Sequence, residues 1–236
     1  MYDYTSRTKK ALRIIKVLAH YFGEKRLRSL RVLDIGSSTG IIAATLASHF
    51  KQVIGVDIDR SAIAYARKNF KKRNLEFHYG DAMNLSFPKN FFDVVICAQV
   101  YEHVPNPKKL FSEVYRVLKP SGICYLAALN KLWPIEPHYN LLFLSWIPKQ
   151  LANIYVTLLG KAQRYYETPL TYWELKRLVG RFTVVEYTHH ILTDPQQFGY
   201  DDMLPHGSVR GLIARILTPL ARYLTPTFFW LLMKKN

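Results

Sequence analysis

Short apolar runs alternate with stretches of helical period along the first half of the chain. Residues 31–35 (RVLDI), 52–57 (QVIGVD), 75–79 (LEFHY), 92–98 (FDVVICA) and 123–129 (ICYLAAL) have strand length and composition. The run at 92–98 is apolar almost throughout, as expected of a central parallel strand buried on both faces, whereas 75–79 alternates apolar with polar. Between these runs, residues 41–50, 61–70 and 108–118 read as helices. Ahead of them, Ala11, Ile14, Ile15, Leu18 and Phe22 form one stripe of a helix over 7–22, with lysines and arginines opposite and Gly23 as its stop. Strand and helix alternating from 31 to 129 predict an α/β fold with a doubly wound sheet and right-handed crossovers.

The second half is less regular. Residues 141–159 are strongly apolar but interrupted by Pro148-Lys149-Gln150 and Asn153, which predicts a helical insertion rather than a membrane span. Too many of its residues are apolar for a solvated face, so it reads as a lid or as the mouth for a lipid-like ligand. A helix over 171–179 and a strand over 181–187 follow. His189 and His190, placed in extended backbone, would point to opposite faces and make a poor metal site. Residues 194–207 read as a polar loop. Val209, Leu212, Ile213, Ile216, Leu217 and Leu220 recur at helical spacing with Arg210, Arg215 and Arg222 between them. That basic amphipathic helix suits either a core-facing helix with solvated arginines or an anionic membrane surface. The apolar run 227–234 is too short to span a bilayer.

Composition narrows the picture. A chain of 236 residues accommodates one large α/β domain with elaborations. The formal charge of +16 favours a polyanionic neighbour, either nucleic acid or an anionic membrane. Cys97 and Cys124 fall in strand-like runs with neither metal spacing nor a disulfide framework, so they read as buried free thiols of a reducing compartment. The polar N-terminal stretch carries no secretory pattern, and the expected location is cytoplasmic, peripheral to a membrane if the charge serves one.

Candidate chemistry gathers at the predicted strand ends. Gly36 and Gly40 bracket the loop after the first strand, where a missing Cβ permits a tight turn and close approach of a nucleotide-like ligand. Asp34 ends that strand, at the edge where open α/β sheets place ligands. Asp57 ends the second strand 23 residues further on, near the spacing of an acid that accepts from ribose hydroxyls. Asp59 suits the cap of the next helix. Asp81 follows the third strand, as an acceptor for an adenine amino group or as a turn residue. His103, beyond the fourth strand, is the candidate general base, with Glu102 beside it to orient it or to contact a ligand. The aromatic loop after the fifth strand, with Trp133, Glu136, His138 and Tyr139, is the candidate acceptor pocket, and His138 a second catalytic candidate.

The segment FDVVICAQVYEHVPNPKKLFSEVYRVLKPSG, together with the loop DIGSSTG and the acids Asp57 and Asp81, resembles the large class I S-adenosylmethionine (SAM)-dependent methyltransferase group that includes the quinone-biosynthesis C- and O-methyltransferases. Ser38 and Ser121 stand where that group often has glycine. The resemblance implies a Rossmann-like seven-stranded methyltransferase sheet, mostly parallel, with 227–234 as its antiparallel last strand and a helical lid insertion. It implies one domain over 1–236: an N-terminal helix (1–30), a SAM-binding core (31–130), an acceptor lid (131–180) and C-terminal strands and helix (181–236). It implies SAM as methyl donor and S-adenosylhomocysteine as product, with the donor held by Asp34, Gly36, Ser37, Gly40, Asp57, Ile58, Asp81, Ala82, Ala98 and Gln99. The acceptor, small or lipid-like and methylated on oxygen or carbon, would meet Glu102, His103, Trp133, Glu136, His138 and Tyr139. Two alternatives stand beside this. An RNA methyltransferase suits the charge, although Ala98-Gln99-Val100-Tyr101 is not the Asn/Asp-Pro-Pro-aromatic motif of base-amine methylation. A SAM-binding protein without turnover has only Ser38 in its favour.

Overall fold

The computed structural model describes residues 3–203 and 223–235. In chain order these form α1 (Tyr4–Phe22), α2 (Glu24–Leu27), β1 (Arg31–Ile35), α3 (Ile41–Leu46), β2 (Gln52–Asp57), α4 (Arg60–Asn69), β3 (Leu75–Tyr79), β4 (Phe92–Ala98), α5 (Pro107–Val117) and β5 (Leu118–Leu129). There follow β6 (Ile135–Glu136), β7 (Leu141–Leu142), α6 (Lys149–Leu158), α7 (Tyr172–Leu178), β8 (Phe182–Glu186), α8 (Tyr187–Thr193) and β9 (Thr227–Lys234). Seven strands make one sheet in the order β3-β2-β1-β4-β5-β9-β8. β1 to β5 pair in parallel, and β9 runs antiparallel to both β5 and β8. This is the expected architecture, with the last strand in sequence inserted between β5 and β8.

Period-two alternation in the strands feeds two cores, one on each face. Val94 and Ile96 of β4 join Val32, Ile123 and Tyr125 against α1 and α3, while Val95 and Cys97 join Leu33, Ile35, Cys124 and Leu126 against α5 and α7. Helix α5 shows how the pattern specifies the packing. Asn106 accepts from the Lys109 amide as N-cap, Pro107 opens the first turn, and Leu110, Phe111, Val114 and Val117 are buried on one side. At roughly 1.5–3 kcal/mol for each such side chain, that stripe outweighs the weak helix propensity of its two valines. Asp59 caps α4 as read from sequence, accepting from the amides of Ser61 and Ala62.

Several expectations are corrected. Residues 141–159 are not one helix: a two-stranded ribbon pairs Ile135 and Glu136 with Leu142 and Leu141, and helix begins only at Lys149, behind Pro148, which as N-cap is extended (ψ 147°). The first core helix ends at Leu46 instead of Phe50. The fifth strand starts at Leu118, ahead of the expected Ile123, with a register shift between Phe92 and Val94 of its partner. His189 and His190 lie in α8, not in extended backbone, because the strand before them stops at Glu186. The amphipathic pattern at 209–222 lies outside the described residues. No helix among the described residues is long and apolar enough to cross a membrane.

Both departures from the glycine pattern sit in left-handed backbone, Ser38 at φ 48° and Ser121 at φ 59°. A residue with a Cβ pays about 1–2 kcal/mol there, and glycine's larger loss of freedom on folding offsets about half of that. Ser38→Gly is therefore expected to stabilise the protein by about 0.5–1 kcal/mol, read as a higher urea midpoint at unchanged slope, since the Ser38 amide bond to Asp57 is backbone and survives.

Candidate active site

The site is built where four parallel strands end together. The Gly36 and Ser37 amides donate to the Val56 carbonyl (2.8 and 3.1 Å), tying the loop after β1 to β2. Asp57 completes the tie: one carboxylate oxygen accepts from the Ser38 amide at 2.7 Å, the other from the Asp59 amide at 2.9 Å. Asp81 makes a local turn by accepting from the Met83 amide at 2.8 Å. Gln99, just past β4, is held at φ 59° while its amide donates to Ala127 of β5 and its side chain accepts from Lys10 of α1. Left-handed backbone at a non-glycine residue is the kind of local strain that clusters at ligand sites.

These strand ends enclose a cavity of about 330 Å³. Of the residues expected to hold the donor, Gly36, Asp57, Ile58, Asp81, Ala82 and Gln99 line it, and His103 stands on its wall. Asp34, Ser37, Gly40 and Ala98 are not on the wall. Gly36 has φ 71°, and a Cβ there would come within 2.8 Å of Val100, itself a lining residue. Gly40 answers a different need: its φ is 82° and a Cβ would strike the Phe77 ring at 2.6 Å and Ala66 at 2.8 Å, so it serves helix–strand packing. Sequence reasoning assigned no role to Val56, Gly80, Met83, Val100, Val104 and Pro105, which also line the cavity, although the last three lie in the segment that carries the family resemblance.

Asp34 is buried, and its Oδ2 has no hydrogen-bond partner among the described residues. Burial, then the charge of Asp57, pushes its carboxyl up to about 7. A buried acid held on the edge of ionisation fits a cationic ligand nearby, and an acid at the tip of β2 fits ribose hydroxyls.

A second group lies against His103. The His103 and His138 rings meet edge to face with centroids 5.1 Å apart. His138 Nδ1 is 2.9 Å from Glu136 Oε1, and Glu136 Oε2 accepts from the His138 and Tyr139 amides at 2.8 and 2.9 Å. That hydrogen bond raises the pKa of His138, while burial and the neighbouring His138 lower that of His103. The fold thus brings Glu136, His138 and Tyr139 together with His103; Trp133 shows no such contact and turns back on Asn130 through its amide. Glu102 is fully buried, both of its carboxylate oxygens lack partners among the described residues, and desolvation pushes it up to about 7. Glu167, unmarked by any motif, is 3.7 Å from His103 Nδ1. Among the described residues no three His, Cys, Asp or Glu side chains are grouped to hold a metal ion.

The burial of Glu102 carries a stability cost with a defined pH window. Folded Glu102 holds its proton up to about 7, whereas the unfolded chain releases it near 4.5, so stability falls as pH rises through that interval and stays lower above it. Glu102→Gln removes this cost. Urea unfolding should show the variant gaining on the parent between pH 5 and pH 8, by up to about 3 kcal/mol; identical pH dependence of the two would contradict the cost.

Comparison with known proteins agrees with this geometry. Residues 33–126 match the family described as Methyltransferase domain. The ubiquinone biosynthesis O-methyltransferases of Rickettsia akari (strain Hartford) and Rickettsia canadensis (strain McKiel) are each 30% identical over 174 residues. That alignment covers 71% of this chain and 67% or 71% of the relative. In fold, the chain is similar to the PH0226 protein from Pyrococcus horikoshii OT3, with a TM-score of 0.65 at 24% identity over 100% of this chain and 92% of that one. With a Rossmann-like seven-stranded sheet and a cavity at its strand ends, the chain belongs to the class I SAM-dependent methyltransferases.

Proposed function

We propose that the protein methylates a hydroxyl group of a small, lipid-like acceptor, a phenolic quinone precursor being the best fit. The observation that carries this reading is His103 on the cavity wall, its pKa lowered so that the ring is neutral near pH 7. A neutral imidazole accepts the proton that a hydroxyl must lose, and the names of the relatives point to oxygen as the atom methylated.

SAM supplies an electrophilic methyl group on a sulfonium. The chain's contribution is to bind, orient and exclude water. Asp57 and Asp81 suit the ribose hydroxyls and the adenine amino group, and Ile58, Met83 and Val104 give the cavity apolar walls. Asp34, buried and off the cavity wall, would favour a positively charged ligand through the field of its carboxylate. The acceptor approaches from the side of His103 and His138, held close and in line so that positioning supplies much of the rate.

Support for an apolar acceptor comes from the insertion. Leu141, Leu144, Ala152, Val156 and Tyr165 form a small core of their own, yet the other side of α6 exposes Leu151, Ile154 and Leu158 at helical spacing. Phe143 and Trp146, both exposed, pack on each other at 4.7 Å between ring centroids. A two-sided apolar helix on a protein of formal charge +16 fits an anionic bilayer as the source of such an acceptor. The RNA alternative rests on charge alone.

Two outcomes are expected. His103→Ala should lower turnover of a prenylated catechol by ~10² or more, followed by transfer of labelled methyl from SAM, with SAM binding by calorimetry little changed; unaltered turnover removes the base. Phosphatidylglycerol vesicles should co-sediment the parent protein, and Ile154→Glu with Leu158→Glu should abolish most of that binding while leaving SAM affinity intact. Equal binding of the double variant would exclude this surface.

A further inference from the structure

Residues 165–170 are fastened to the segment just after β4. The Thr168 amide and hydroxyl both donate to the Glu102 carbonyl, at 2.9 and 3.1 Å. The Leu170 amide donates to the Tyr101 hydroxyl at 2.9 Å, and that hydroxyl donates to the Leu129 carbonyl at 3.0 Å. From the other side, the Lys149 ammonium donates to the Glu167 carbonyl and sits 4.2 Å from the centre of the Tyr165 ring. So anchored, the Glu167 side chain is 8% exposed and its Oε1 lies 3.7 Å from His103 Nδ1 and 3.4 Å from the Tyr139 hydroxyl. Its Oε2 is buried without a partner among the described residues. A buried carboxylate with a spare oxygen is costly, and the fold places this one against the ring that faces the cavity.

Each histidine of the pair thus has its own carboxylate on Nδ1, Glu136 for His138 and Glu167 for His103. The two bonds differ. Glu136 holds His138 at 2.9 Å and also gathers two backbone amides, whereas the 3.7 Å approach of Glu167 is ion-pair range and too long for a full hydrogen bond. Such contacts tighten when substrate binds. Two imidazolium rings with centroids 5.1 Å apart repel, so the ring with the closer carboxylate carries the charge and the other stays neutral.

We propose, resting on the hydroxyl-methylation reading above, that Glu167 is a positioning residue that keeps the His103 proton on Nδ1, leaving Nε2 to accept the acceptor's proton while His138, held by Glu136, carries positive charge beside the developing oxyanion. In the transfer, the O–H bond breaks and its proton goes to His103 Nε2. The oxygen lone pair forms the new bond to the methyl carbon, and the carbon–sulfur bonding pair stays with sulfur. His103, now doubly protonated, has Glu167 as counter-ion until the proton passes to solvent. The charged and titratable groups facing His103 are His138, Glu136 and Glu167, with Glu102 adjacent in the chain and Tyr139 next to Glu167. The opposite directions of the two histidine pKa values agree with this division of labour.

The test reads the rings directly. In the full chain with 15N-labelled histidine, ring nitrogen shifts over pH 5–9 should show neutral His103 as the Nδ1–H form, a result that needs no variant. Glu167→Gln should move the His103 titration to lower pH by more than it moves that of His138, and Glu136→Gln should lower the His138 titration by more than that of His103. With a prenylated catechol as acceptor, Glu167→Gln should lower kcat ~10–100-fold with little change in KM and carry the acid limb of the kcat profile to lower pH; Glu167→Asp should recover part of the loss. Neutral His103 as the Nε2–H form, or a His103 titration untouched by Glu167→Gln, overturns the proposal. A parent protein that binds SAM but leaves the catechol unmethylated would count against the hydroxyl-methylation reading, while the ring measurement would still decide the role of Glu167.

Discussion

The parallel pairing of β1 with β4 is the constraint on which the rest depends. Strand order reverses there: β2 and β3 lie to one side of β1, β5 and its neighbours beyond β4. The chain leaving β1 enters α3 on one face of the sheet, and the chain leaving β4 enters α5 on the other, as the two separate cores show. Two connections diverging from adjacent strand ends leave a crevice between them, and the cavity with Gly36 on one lip and Gln99, Val100, His103, Val104 and Pro105 on the other occupies it. The tie from Asp57 to the Ser38 amide then shapes one lip, and the Gln99 amide bond to Ala127 shapes the other.

Around that crevice the protein accepts electrostatic cost that a purely structural core would avoid. Asp34 and Glu102 are buried acids with oxygens unpaired among the described residues and pKa values near 7, and Glu136 and Glu167 are buried as well. Buried carboxylates without full hydrogen bonding destabilise a fold, and their concentration at one edge of the sheet is the pattern of a candidate functional site. Elsewhere the accounting is more ordinary: the two cysteines are buried apolar groups with raised pKa values, and α1, α4, α5 and α7 each have a side chain capping the N-terminus.

The insertion follows a different logic from the sheet. Its small core around Leu144 and Tyr165 is separate from the two main cores, and its backbone changes from ribbon at Leu142 to helix at Lys149. Apolar density alone suggested continuous helix there, but Pro148 and the turn residues ahead of it break the period. The same segment contributes both the exposed apolar face and Lys149, which fastens Glu167 beside His103. The exposed apolar face and the anchor of Glu167 therefore belong to one structural unit.

What the sequence determined by itself is local. Strand runs, capping residues, and the acids and glycines that punctuate strand ends each report the surroundings of a few neighbouring residues, which is why Asp57, Ile58, Asp81, Gln99 and His103 were legible as a row of strand-end positions. Gly40 shows the limit of such reading, because a glycine needed for packing against Phe77 is spelled the same way as one needed beside a ligand. Tertiary structure alone decided which residues meet across distance: the joining of Glu167 to His103, the pairing of His103 with His138, and the left-handed backbone of Ser38 and Gln99. Those contacts arise from hydrogen bonds between segments, such as Thr168 to Glu102, whose partners carry no periodicity and so leave no trace in either segment read alone.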